Sequence, residues 1–158
     1  MKRNRNIRIL MLTITLLLGS LPVAAKERIF ALHGAGQATF LTDGAGNVIG
    51  ANLTAAGTAT HLGLWSQVAT LQFTPHPNNP NLILASGTGA FTAANGDRLQ
   101  FVIEDSVLDT TTSLAQGRFQ FVGGTGRFEG VSGSANFVVD QNLATGSFEV
   151  TAIGSINF

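Results

Sequence analysis

The sequence predicts an all-β protein, a single antiparallel β-barrel of about eight strands preceded by an N-terminal signal peptide. Three observations predict it. Beyond residue 25 no segment carries apolar residues at the i, i+3, i+4, i+7 spacing of an amphipathic helix. Turn markers recur at intervals of about ten residues: Asp43-Gly44, Gly46-Asn47, Gly57, residues 75–80, Asn95-Gly96, Gly123-Gly124, Gly130 and Thr145-Gly146. Between them glycine, threonine, valine, phenylalanine and asparagine dominate, a composition suited to strands and tight turns. Roughly seven to nine strands fit, and periodicity alone suits a sandwich or a lipocalin-like barrel as well.

Residues 1–25 read as a leader rather than as part of the domain. Lys2, Arg3, Arg5 and Arg8 form a basic head, Ile9 to Leu18 an apolar run, and Gly19 to Pro22 a breaker. Val23-Ala24-Ala25 then supplies the small residues that a signal peptidase requires, so cleavage is expected after Ala25. The apolar run is too short to span a bilayer as a helix. The domain is therefore expected over 26–158, secreted or periplasmic, with no membrane association after cleavage.

Loss of the leader changes the charge. The 158-residue chain is neutral, but the mature part keeps five basic against nine acidic residues, a net charge of −4. Three scattered arginines beyond Arg28 form no track for a phosphate backbone, so nucleic-acid binding is not expected. There is no cysteine, so stability must come from packing rather than from disulfides. All eleven phenylalanines lie in the mature part. Each stabilises by about 1.5–3 kcal/mol if fully buried, enough in sum for one core.

The strands follow in order. Gly57 to Trp65 reads as an extended segment with His61 and Trp65 on one face. Residues 75–80, with three prolines, make a stiff irregular loop. Gly89 to Thr92, the turn Asn95-Gly96 and Leu99 to Glu104 read as a hairpin, with Leu99, Phe101 and Ile103 on one face. Asp105 to Ala115, with three consecutive threonines, reads as a second long connection. Phe119 and Phe121 alternate with polar neighbours, and a further strand runs from Ser134 to Asp140. In the last strand Phe148, Val150, Ala152 and Ile156 share an apolar face, and it is expected to pair on both sides.

Between the strands ending at Val122 and starting at Ser134 lies Gly123-Gly124-Thr125-Gly126-Arg127-Phe128, with Gly133 after it. This segment resembles the glycine-rich turn of the allene oxide cyclase and dirigent barrels, most closely small exported bacterial proteins with the allene oxide cyclase-like fold. Gly57-Thr58-Ala59-Thr60-His61-Leu62-Gly63 and the hairpin from Gly87 to Phe91 extend the resemblance over most of 29–158. It implies an eight-stranded calycin-type barrel with an apolar cavity, trimeric in the plant members, and turn residues Gly123, Gly124, Gly126 and Phe128 with a structural role. The plant enzymes cyclise an epoxide without a cofactor, and dirigent proteins steer radical coupling. No catalytic residue transfers. This chain has no tyrosine, and Val131 stands where dirigent turns carry alanine.

Chemistry-bearing patterns are few. The glycines of 124–126 and 44–46 lack the third glycine, the helix and the lysine of phosphate-binding loops. His33, His61 and His76 are too widely spaced for a metal site, and no motif calls for a cofactor. His61 and Trp65 could orient a small apolar ligand at a barrel mouth; equally, His61 could bond a backbone carbonyl beside a core tryptophan. Arg98, Glu104 and Arg118 are the one acid–base set on neighbouring strands. Turned inward, Glu104 could transfer protons in a cyclase or isomerase. On the outer wall, opposite Leu99, Phe101, Phe119 and Phe121, the three would be solvated charges. The leading expectation is an exported barrel that binds a small apolar ligand or serves as a non-catalytic module. A cofactor-independent cyclase and a surface-acting structural module are the alternatives.

Overall fold

The structure is a computed structural model that describes residues 26–158; the leader expected at residues 1–25 lies outside the described residues. Eight antiparallel strands follow one another around a closed barrel: β1 (Glu27–Thr42), β2 (Val48–Ala59), β3 (Gly63–Pro75), β4 (Leu82–Ala93), β5 (Arg98–Asp109), β6 (Leu114–Gly124), β7 (Ser132–Gln141) and β8 (Ser147–Asn157). Each strand pairs with its sequence neighbours, and β8 returns to β1 from Glu27↔Asn157 through Gln37↔Ser147. Closure satisfies both edges, which an open sheet would leave unpaired. Between sandwich and barrel, the structure is the barrel.

Alternation sorts the side chains. Phe30, Leu32, Trp65, Phe91, Leu99, Phe101, Phe119, Phe121, Phe137, Phe148, Val150 and Ile156 are buried inside. Their strand neighbours, such as Arg98, Gln100, Arg118, Gln120, Glu149 and Thr151, are exposed on the outer wall. Rings of the core touch in a continuous series. Phe30 lies 4.8 Å from Phe121, Phe91 4.7 Å from Phe101, Phe101 4.8 Å from Phe119, and Phe119 4.5 Å from Phe137. Most contacts are tilted or edge-to-face, the geometry favoured by the ring quadrupoles.

The two barrel ends differ. One is plugged. There β6 leaves the wall through Gly123, at φ 105°, and a single 3₁₀ turn, Gly126–Phe128, swings inward. Gly126 takes φ 58°, and an added Cβ would overlap the Asp97 carboxylate. Thr125 locks the turn to β5: its N–H donates to Arg98 O at 2.8 Å, and its Oγ1 accepts from Arg98 N at 3.0 Å. Phe128, fully buried, and Leu62 fill this end. The other end is the mouth, ringed by the turns 43–47, 76–81, 110–113 and 142–146.

Two expectations need correction. Gly57 is not a turn but a mid-strand residue of β2, and the chain reverses at 60–62 instead. His61 supplies the positive φ there, 64°, so a histidine does what glycine more often does. The connection Asp105–Ala115 is mostly strand. β5 continues to Asp109 and β6 starts at Leu114, with Ser113 at φ 62° closing the turn. The register of β5 slips between Val102 and Val107, which turns both Glu104 and Asp105 outward and Ser106 inward. That break in alternation is why the segment reads as a loop.

Candidate functional site

Inside the mouth end the barrel keeps a cavity of about 70 Å³. Small side chains make the room: Ala38, Ala51, Ala85 and Ala115 line it where larger residues would fill it. Phe40, Phe73, Leu53, Leu71 and Val139, only partly buried, surround the way in. The volume equals about two to three water molecules at roughly 30 Å³ each. It is well below the roughly 300–1,000 Å³ of drug-sized pockets. The space therefore suits the end of a slim molecule whose remainder lies at the rim.

The interior is not wholly apolar. Gln67 on β3 and Ser106 on β5 are the buried polar side chains among the described residues, and both line the cavity. Neither residue stood out in the sequence. The signal for Gln67 is a polar residue in the inward row of Trp65, Ala69, Leu71 and Phe73. Ser106 was hidden by the register slip beside it. Buried charge is absent among the described residues, so no acid or base faces the interior.

The residues singled out by sequence fall in three places. His61 and Trp65 do not share a face of one strand. His61 stands in the 60–62 turn at the plugged end, its Nε2 3.1 Å from Ile29 O and its ring 5.4 Å edge-to-face from Phe158. Trp65 is buried at the start of β3, 5.3 Å from Phe91, and its Nε1 is sealed off without a partner. Neither lines the cavity. Glu104 and Arg118 do come together, but on the outer wall, where they border a shallow hollow of about 810 Å³ with Asp105 and Asn136. Arg118 Nε donates to Asn136 Oδ1 at 3.1 Å, across the β6–β7 pairing that sets these two residues opposite each other. Gly123, Gly124, Gly126 and Phe128 build the plug, not the cavity.

The mouth is held by carboxylates acting on backbone. Asp43 accepts from Asn47 Nδ2 at 2.9 Å and from the N–H groups of Asn47 and Ala45 at 2.8 and 2.9 Å. Asp109 accepts from Thr111 Oγ1 at 2.6 Å and Thr111 N at 2.8 Å. These donors favour the ionised form, the Asn47 side chain foremost for Asp43 and the Thr111 hydroxyl for Asp109, and both carboxyls titrate below their ordinary value. Compared with protein-family models the chain matches no family, and it matches no curated protein.

Proposed function

We propose that the barrel is exported after removal of residues 1–25 and binds a small, mainly apolar ligand through its mouth. The observation that carries this reading is the cavity beneath Phe40 and Phe73, kept open by alanines although phenylalanines pack the rest of the core. A tightly packed interior leaves few voids larger than a water molecule, so retained space at an accessible end suits an occupant. The interior is packed with apolar side chains, where a lipid-embedded barrel keeps polar ones. The outer wall mixes charged and polar residues with exposed Ile29, Leu64, Val68, Val122 and Ile153. That supports a barrel working in water. The cyclase reading loses its footing, because among the described residues the interior offers Gln67 and Ser106 but no ionisable group to move a proton.

A second reading rests on the hollow beside Glu104, Asp105 and Arg118, larger than the interior cavity. A barrel used as an interaction module would work through such a wall. Native mass spectrometry of the protein purified from its own host separates the two. A retained small molecule supports the binding reading, whereas a bare protein that co-purifies with a macromolecule supports the module. Three subunits in the same spectrum would strengthen the resemblance to the allene oxide cyclase-like barrels.

A further inference from the structure

We infer that the ligand is uncharged and carries a hydrogen-bonding head, an alcohol or amide, which enters the cavity first and is held by Gln67 and Ser106. The inference rests on the binding reading above and narrows it. Gln67 and Ser106 are 5% and 4% exposed, and both face the cavity. Among the described residues no hydrogen bond links either side chain to another protein group, yet the buried side-chain atom there that is both sealed and unpaired is Trp65 Nε1, not theirs. Their polar atoms therefore open on the cavity itself.

A buried amide or hydroxyl without a partner costs about 1–3 kcal/mol, so this pair favours an occupant that completes its bonding. Gln67 offers two N–H donors and a carbonyl acceptor, and Ser106 offers a donor and an acceptor. A hydroxyl or a primary amide matches that inventory. A carboxylate does not. No lysine, arginine or histidine among the described residues is buried to neutralise it, and an unpaired anion in an apolar enclosure is strongly disfavoured. The cavity of about 70 Å³ has room for the head and the first carbons. The rest of an alkyl chain then lies among Phe40, Phe73 and Leu71 at the rim.

Calorimetric titration of the mature protein at neutral pH with four six-carbon probes tests this: hexane, 1-hexanol, hexanamide and hexanoate. One net hydrogen bond predicts that hexanol and hexanamide bind about 2–10-fold tighter than hexane. Hexanoate should be the weakest of the four. Gln67→Leu should abolish the preference for hexanol while hexane binding persists, which also shows that the variant is folded; Ser106→Ala should reduce the preference in part. Equal affinity for hexane and hexanol, or tightest binding of hexanoate, overturns the inference and leaves the apolar-ligand reading standing. If none of the four binds, both fail.

Discussion

Gly34 of β1 lies directly beneath the indole of Trp65, two strands away on β3. Between them Gly57 of β2 pairs with both. A Cβ on Gly34 would stand 2.7 Å from Trp65 Cη2 and closer still to Cζ2. Two glycines in register thus form the floor on which the single tryptophan lies.

Gly34→Ala is expected to destabilise the barrel by about 1–3 kcal/mol, the range for forced overpacking in a filled core. Denaturant unfolding followed by Trp65 fluorescence measures this. In a Trp65→Leu background, followed by circular dichroism because the single tryptophan is gone, Gly34→Ala should cost less, since the clash with the ring is removed and only that with Ala56 O remains. Additive losses in the double variant would contradict the account.

Phe128 closes the plugged end from the 3₁₀ turn, and its ring is fully buried. Phe128→Ala should cost about 3–5 kcal/mol, as other buried aromatic truncations do. Hydrogen exchange should then quicken at Thr125 and Arg98, whose mutual bonds hold the turn. Unchanged stability would mean that the glycine-rich turn does not plug the barrel.

Acid should loosen the mouth. The carboxyls of Asp43 and Asp109 titrate below their ordinary value of 3.8 in the folded protein. A depressed folded value means the stabilisation is complete above the unfolded value and is lost as pH falls through the folded one. Thermal midpoints should therefore be insensitive to these two groups above about pH 5 and fall below about pH 4. Asp43→Asn with Asp109→Asn should flatten that acid limb, and an unaltered limb would show that other groups control it.

Filling the cavity should remove binding without unfolding the protein. Ala85→Val places two extra methyl groups beside Ser106, which pairs with Ala85 across the β4–β5 register. Stability should change by less than about 1.5 kcal/mol because the room exists. Saturable binding of hexanol should disappear. Retained binding would place the ligand elsewhere.

Export should leave a mature chain beginning at Lys26. Intact mass of the protein recovered outside the cytoplasm reads this directly. A product that retains Met1 would contradict the leader assignment.

Much of the barrel was legible in the sequence because its strands alternate cleanly. β8 and the first half of β5 alternate apolar-in and polar-out over most of their length, with only Val102 and Ile153 as apolar residues on the outer row, and Asn95-Gly96 marks the turn before β5 plainly. Illegibility arose where a residue other than glycine takes a positive φ, as His61 and Ser113 do. It also arose where a register slip breaks the period, as at Glu104-Asp105. The candidate site was scarcely readable. Ionisable and aromatic residues draw attention in a sequence, but the cavity is defined by alanines and by two neutral polar groups. Small side chains mark a void only once the opposite walls are known.

The central claim is that a small ligand enters the barrel from the mouth, and methyl NMR of the mature protein titrated with 1-hexanol tests it most directly. Saturable shifts are predicted for Leu53, Leu71, Ile103, Leu108 and Val139, which line the cavity, with Leu62, Leu99 and Ile156 at the plugged end little changed. Shifts confined to the exposed Ile29, Leu64 and Ile153 of the outer wall, or no saturable shift at all, would contradict it.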